Sequence, residues 1–186
     1  LSLHDALPIF DKLNENNFSE KLKLIHGERN QKNRRSIWLG VKGVTQESDL
    51  IDLKKILLRE RIRRTSTFKL FIFVDNLVQI FGIDDITSND VDGIIVDTHT
   101  ILKNIYGKVA DKLFEEKAFE KAMDTIFASA KKYRTKVLIL GDLPKDSIER
   151  FIKRGVSGFI FSGENLIEKR KTIAKNEISV LKNKRK

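Results

Sequence analysis

Three aspartates in this sequence follow apolar, β-rich runs closely enough to form a binding site for a divalent cation. Asp75, Asp97 and Asp142 each come at the end of such a run or within two residues of it. Because the carboxyl ends of parallel strands meet at one edge of a sheet, these carboxylates would converge there. Carboxylate oxygens are the ligands that hard cations prefer, so Asp75 and Asp97 are predicted to hold Mg²⁺. Aspartate also favours turns and helix caps for backbone reasons alone, and that alternative stays open.

Two further residues could contact a substrate at the same edge. His99 lies two residues after Asp97, where its imidazole could act as a general acid or contact a phosphate. A solvated loop histidine is the alternative at that position. Ser162 ends the last apolar run, and backbone N–H groups at the start of a following helix could hold a phosphate. Because Gly163 is a single glycine and Glu164 would repel an anion, a tight turn is the alternative there.

The elements that position these residues alternate regularly along the chain. Short apolar runs typical of buried strands lie at 37–41, 69–74, 93–97, 136–140 and 158–161. Amphipathic stretches typical of helices separate them, and a further polar helix is predicted over 10–31. This alternation predicts an α/β fold with a parallel sheet and right-handed crossovers. Two architectures fit: an open doubly wound sheet, and a partial TIM (β/α)8 barrel comprising about its last five β/α units.

Composition excludes several kinds of site. The sequence has no cysteine, which rules out disulfides, cysteine-bound zinc and thiol nucleophiles, and its 3 histidines are too few for a histidine-rich metal site. No run of 18 apolar residues is present, so no membrane-spanning helix is expected. The 36 basic and 26 acidic residues give a net charge of +10. Basic and acidic residues alternate and form no recognisable RNA- or DNA-binding motif, so nucleic acid is not predicted as a partner.

The first nine residues match, codon by codon, the translation of a common sequencing-library adapter. We therefore expect residues 1–9 to be an artefact and the chain to be a fragment whose reading frame begins inside a gene. The rest is predicted to divide into a helix and basic connector at 10–36, a barrel segment at 37–181 and a basic tail at 182–186. A cytoplasmic location is expected, and formation of a homodimer is left open.

Several stretches of the sequence follow the motifs of one known family. Residues 91–107 align without gaps with the pattern V-D-G-F-S-I-G-S-N-D-L-T-Q-L-T-L-G, and residues 68–76 are similar to L-K-V-G-I-M-V-E-x-P. Together with 37–58, 136–142 and 155–162, they resemble the C-terminal barrel of PEP-utilising enzymes, the family that includes phosphoenolpyruvate synthase (pyruvate, water dikinase) and pyruvate phosphate dikinase. The resemblance covers about four-fifths of the chain.

This resemblance implies a barrel that binds phosphoenolpyruvate or pyruvate with Mg²⁺. In the family, a phosphoryl group passes between a phosphohistidine and pyruvate. A swivelling phosphohistidine domain delivers it and an ATP-grasp domain charges that domain, and both would lie upstream of this chain. The match makes Asp75 the counterpart of the family's metal-binding glutamate, and Gly141 and Asp142 the counterparts of Gly-Glu in its Cys-Gly-Glu turn. Gly141, Asp142, His99 and Ser162 are therefore the predicted substrate-binding residues.

The chain departs from the family pattern where the family's chemistry takes place. Leu140 replaces the cysteine that donates a proton to the enolpyruvate carbon, and a leucine cannot donate one. Thr45 replaces a substrate-binding arginine, which removes a bidentate contact. His99 and Thr100 replace an Asn-Asp pair. The resemblance therefore implies a degenerate site with no predicted catalytic residue, and it leaves open whether the barrel is an enzyme.

A receiver-like signalling module is a second hypothesis for the same residues. Residues 74–76 with Asp97 would form its acidic pocket. A receiver needs a lysine at the end of its final strand, however, and residues 161 and 162 are phenylalanine and serine. A third hypothesis is a non-catalytic binding barrel, which differs from the first in that the protein would not turn over pyruvate and ATP.

Overall fold

Six parallel strands in consecutive order form the sheet of this protein. The computed structural model describes residues 9–11, 15–31, 37–161 and 166–183. The strands are β1 Ile9–Asp11, β2 Ile37–Lys42, β3 Phe68–Val74, β4 Gly93–Asp97, β5 Lys136–Leu140 and β6 Gly158–Ile160. Each strand pairs in parallel with the next one along the chain. The predicted α/β fold with a parallel sheet is therefore confirmed, and its five predicted strands correspond to β2–β6.

The strand order decides between the predicted architectures. In a doubly wound sheet the order reverses at a switch point, and a receiver-like sheet has the order 2-1-3-4-5. Here the order runs β1-β2-β3-β4-β5-β6 without a reversal. With crossovers of one hand, such an order puts all the helices on one face and leaves the other face for the inside of a barrel. The sheet is the wall of a partial (β/α)8 barrel, and the receiver-like hypothesis is wrong.

Helices alternate with the strands along the whole described chain. They are α1 Glu15–Gln31, α2 Glu47–Arg59, α3 Leu77–Phe81, α4 Ile83–Thr87, α5 Thr98–Tyr106, α6 Lys117–Lys132, α7 Lys145–Arg154 and α8 Leu166–Asn183. The prediction of a helix from residue 10 is wrong at its start, because Ile9, Phe10 and Asp11 pair with Gly40 and its neighbours as an edge strand. Within the described ranges, no helix combines the length and the apolar character needed to cross a bilayer.

The outer face of the sheet packs against the helices. Because side chains alternate between faces along a strand, every second residue points outward. The outward residues of the central strands are buried, among them Leu39, Leu70, Ile72, Ile94 and Ile139. They join apolar side chains of α2, α5 and α6 in one continuous core, and burial of this apolar surface is the main force that holds helices to sheet.

The inner face carries a smaller core of aromatic rings laid over glycines. Phe71 and Phe73 are fully buried there with Ile95 and Leu138, and Trp38 stacks on Phe71 with ring centroids 5.0 Å apart. A Cβ atom on Gly93 would lie 2.3 Å from Cε1 of Phe71, and one on Gly40 would lie 2.8 Å from Cε2 of Phe73. The rings can therefore lie across the neighbouring strands only because those strands have no side chain at these two points.

We predict that Gly93→Ala destabilises the protein. Its Cβ would also lie 2.9 Å from the backbone oxygen of Lys136, so a ring and a strand would both have to move. Overpacking of this kind costs about 1–3 kcal/mol, measurable as a lower midpoint in urea unfolding followed by circular dichroism. Gly27→Ala in α1 is the control, since nothing lies within 4 Å of its Cβ. Equal stability of the two variants would contradict the packing account.

Candidate functional site

Two aspartates occupy neighbouring positions at the carboxyl edge of the sheet. Val74 of β3 pairs with Val96 of β4, so Asp75 and Asp97 come next on adjacent strands. By the alternation of side chains, both share the inner face with Phe73. Adjacent strands lie about 4.8 Å apart, so the two side chains start from neighbouring backbone positions. Both side chains are half-buried.

One oxygen of each carboxylate already accepts a hydrogen bond. Oδ1 of Asp97 accepts from the backbone N–H of Thr100 at 3.0 Å and caps α5. Oδ1 of Asp75 accepts from Nδ2 of Asn76 at 3.2 Å. The helix-cap alternative from the sequence therefore holds for Asp97. Capping uses only one oxygen, and the cap and a metal ligand are compatible roles.

The residues present fit a Mg²⁺ ion bound with few protein ligands. Among the residues that the structure describes, no group of three or more His, Cys, Asp or Glu side chains gathers where it could hold a metal. Asp75 and Asp97 alone supply two carboxylates. Mg²⁺ is commonly bound by one or two carboxylates together with water and oxygens of the substrate. Asp75 and Asp97 would hold such an ion, which would supply positive charge to an anionic ligand.

His99 is held against the loop after β5. Its Nε2 lies 2.8 Å from the backbone oxygen of Asp142, and because a carbonyl oxygen only accepts, Nε2 donates to it. The ring also packs edge-on against Phe114 at 6.2 Å between centroids. The histidine is thus a half-buried part of the edge, with a fixed orientation, and differs from the solvated loop residue of the sequence-based alternative.

Gly141 has a backbone that only glycine adopts easily. Its φ is +135°, and a Cβ there would lie 2.7 Å from Oγ1 of Thr98 and 3.2 Å from Cδ2 of His99. The Thr98 hydroxyl donates to the backbone oxygen of Leu140 at 2.9 Å. These contacts join the start of α5 to the end of β5. The predicted substrate-binding residues Gly141 and His99 therefore lie together beside Asp97.

The other two predicted substrate-binding residues are Asp142 and Ser162, and the described residues include only Asp142. The carboxylate of Asp142 forms an ion pair with Lys169 of α8, and the ammonium of Lys169 lies 5.1 Å from the centroid of the Phe161 ring. Asp142 therefore already has a cationic partner that the sequence did not predict. Ser162 lies outside the described residues.

Lys42 is a cation at this edge that the sequence analysis missed. It ends β2 on the inner face, and its Nζ lies 5.0 Å from the centroid of the Phe73 ring. No acidic side chain in the described part of the chain forms an ion pair with it. The alternation of Trp38, Gly40 and Lys42 along one strand was the signal that could have placed it.

Gln79 is a buried side chain with four hydrogen bonds to the backbone, and the sequence analysis also missed it. Its Nε2 donates to the backbone oxygens of Val44 at 2.6 Å and Phe73 at 2.7 Å. Its Oε1 accepts from the backbone N–H groups of Asp75 at 2.8 Å and Asn76 at 3.2 Å. One side chain thus ties the loop after β2 to the end of β3. The spacing of Asn76 and Gln79, which matches a helix capping box, was the available signal.

Several solved structures of enzymes are similar to this chain in fold. A citrate lyase from Burkholderia xenovorans has a TM-score of 0.66 at 11% identity, over 93% of this chain and 56% of its own. A pyruvate kinase from Pyrobaculum aerophilum has a TM-score of 0.66 at 12% identity, over 87% of this chain and 38% of its own. An HpcH/HpaI aldolase from Desulfitobacterium hafniense has a TM-score of 0.56 at 11% identity, over 95% of this chain and 83% of its own.

This chain shares the fold of those barrel enzymes. It spans just over half of the citrate lyase and a smaller part of the pyruvate kinase. No family model and no curated protein sequence matches it. The predicted resemblance to PEP-utilising enzymes is therefore confirmed at the level of the barrel fold, and its finer assignment is a proposal.

We predict that Gln79→Leu destabilises the protein by about 2–4 kcal/mol, because it leaves buried backbone groups without partners. Urea unfolding measures this change. Lys121→Leu replaces an exposed polar residue on α6 and should leave stability within about 0.5 kcal/mol of the parent. Similar effects of the two substitutions would show that the Gln79 hydrogen bonds contribute little.

Proposed function

We propose that this chain is part of a barrel that binds pyruvate or phosphoenolpyruvate together with Mg²⁺ at the carboxyl edge of its sheet. The observation that carries the proposal is the pair Asp75 and Asp97, adjacent at the edge where barrel enzymes keep their active sites. The motifs that resemble PEP-utilising enzymes and the fold shared with a pyruvate kinase and a citrate lyase support it.

The side chains at this edge suit a small anionic ligand. Asp75 and Asp97 would hold the cation, and the ammonium of Lys42 would attract the ligand's carboxylate or phosphate. His99, whose Nε2 donates to the backbone oxygen of Asp142, would position the loop after β5 beside the ligand. A carboxylate ligand would thus meet positive charge from the ion and from Lys42, which is the condition for binding an anion beside two aspartates.

Binding without phosphoryl transfer is the activity that these residues support best. Leu140 ends β5 next to Asp97, at the position where the family has its proton donor, and a leucine cannot supply a proton. The non-catalytic binding barrel is therefore the form of the proposal that we favour. Upstream phosphohistidine and ATP-grasp domains are partners that only the resemblance implies, and the gene sequence ahead of residue 10 tests for them.

We predict that Mn²⁺, used as a paramagnetic substitute for Mg²⁺, selectively broadens the amide signals of Asp75 and Asp97 and their neighbours in NMR spectra of the full chain. Asp75→Asn and Asp97→Asn should each weaken this binding about tenfold, the loss expected for one charged ligand. Asparagine also caps helices, so Asp97→Asn should keep α5 intact. Asp52→Asn, at an exposed acid of α2, is the control. Equal broadening in all variants would contradict metal binding by Asp75 and Asp97.

We predict that Lys42→Gln weakens pyruvate binding about tenfold in the presence of Mg²⁺ and leaves Mn²⁺ binding unchanged, because it removes one charge-assisted contact to the ligand. Ligand-observed NMR or calorimetry with the purified chain measures the affinity. Lys55→Gln is the control, since Lys55 is exposed on α2. Undiminished pyruvate binding by Lys42→Gln would remove Lys42 from the site.

A further inference from the structure

A concave site lies at the amino edge of the sheet, opposite to the proposed pyruvate site. It is a groove of about 460 Å³ between the turns that lead into β3, β4 and β5. That volume lies in the range of small-molecule pockets, about 300–1,000 Å³. The charged groups in it are Arg64, Asp90, Asp92, Arg134 and Lys136.

Both acids of the groove already have cationic partners. Oδ2 of Asp92 accepts from Nε of Arg64 at 2.8 Å and from the backbone N–H of Leu70 at 2.8 Å, and Oδ1 lies 3.4 Å from Nζ of Lys69. Burial would raise the pKa of Asp92, but these partners outweigh burial and the pKa is lowered. The carboxylate of Asp90 lies 2.6 Å from Nη1 of Arg64. Both carboxylates therefore already pair with Arg64.

Arg134 and Lys136 supply charge that is not neutralised. Both side chains are exposed, and no acidic side chain among the described residues pairs with either of them. Nζ of Lys136 lies 6.0 Å from the centroid of the Trp38 ring, which leaves the ammonium able to contact a ligand. With Arg64 and Lys69 paired to two carboxylates, two cations remain beside the groove. An anion with two negative charges would balance them.

The backbone at Arg134 gives an independent reason to look at its side chain. Arg134 follows the end of α6 with φ +56°, a left-handed conformation that favours glycine. The residues that directly follow α5 and α7 are also left-handed, and both are glycines, Gly107 and Gly155. Arginine therefore occupies a position where glycine fits better, and this arginine lines the groove. Arg61 has the same conformation after α2, with φ +59°, but does not line the groove.

We propose that this groove binds a small phosphate-bearing molecule, with its phosphate dianion held between the Arg134 guanidinium and the Lys136 ammonium. The planar fork of arginine binds two phosphate oxygens at once, and lysine adds a point charge. The hydroxyl of Ser88, which also lines the groove, can donate a further hydrogen bond. The site uses no residue of the proposed pyruvate site, and either can exist without the other.

The test is an NMR titration of the full chain with inorganic phosphate. We expect saturable shifts of the amide signals at 88–92 and 134–136. Arg134→Gly should weaken binding about tenfold, as expected for the loss of one charge-assisted contact. Because glycine suits the left-handed backbone, the same variant should unfold at an equal or higher urea concentration than the parent. Lys136→Gln should weaken phosphate binding by a similar factor.

Arg61→Gly is the matched control. It removes the same charge and relieves the same backbone conformation outside the groove, so it should leave phosphate binding unchanged. The proposal is overturned if phosphate causes no saturable shifts, if Arg134→Gly binds as well as the parent, or if Arg61→Gly weakens binding equally. The last result would mean that phosphate responds only to overall positive charge.

Discussion

The packing of two phenylalanine rings against two glycines on the inner face is the constraint on which both edges of this sheet depend. Phe71 of β3 covers Gly93 of β4, and Phe73 of β3 covers Gly40 of β2. Strand β3 is therefore matched to each of these two neighbours at one position. A slip of one residue would turn the rings to the other face and place side chains where the glycines are. The register that follows is the one that sets Asp75 beside Asp97 at the carboxyl edge.

The direction of the helices gives the two edges opposite chemistry. Each helix between consecutive parallel strands starts at the carboxyl edge and ends at the amino edge. Helix starts favour acidic and amide caps, and Asp97 and Asn76 occupy such positions. Helix ends favour cations, and α6 ends with Lys131 and Lys132. Helix direction therefore favours acidic and amide groups at the carboxyl edge and basic groups at the amino edge, although Lys42 lies at the first edge and Asp90 and Asp92 lie at the second.

Much of the fold could be predicted from the sequence because its strands are long, continuous apolar runs. The run at 69–74 is β3 to within one residue, and 93–97 and 136–140 are β4 and β5. Asp75 and Asp97 follow from the same runs, since a strand end fixes which edge a residue reaches. The strand Ile9–Asp11 was missed because three residues carry too little pattern to outweigh a longer polar helix.

The partners of the edge residues could not be predicted in the same way. Asp142 pairs with Lys169, which is 27 residues further along the chain, and nothing in local periodicity links the two. The backbone contacts of Gln79 with Phe73, Asp75 and Asn76 are local, but its contact with Val44 exists only once β2 lies beside β3. Such contacts depend on tertiary packing and on side-chain rotamers, and a hydrophobic pattern predicts neither of them.

The Gln79 side chain also has a consequence for cooperativity. Its Nε2 donates to the backbone oxygen of Val44, two residues after Lys42. Its Oε1 accepts from the backbone N–H groups of Asp75 and Asn76. One side chain therefore links the loop after β2 to the end of β3, through a hydrogen bond of 2.6 Å to Val44 and one of 2.8 Å to Asp75. An anion that orders the loop after β2 would place Asp75 better for binding a cation. By linkage, the cation would raise the affinity for the anion by the same factor.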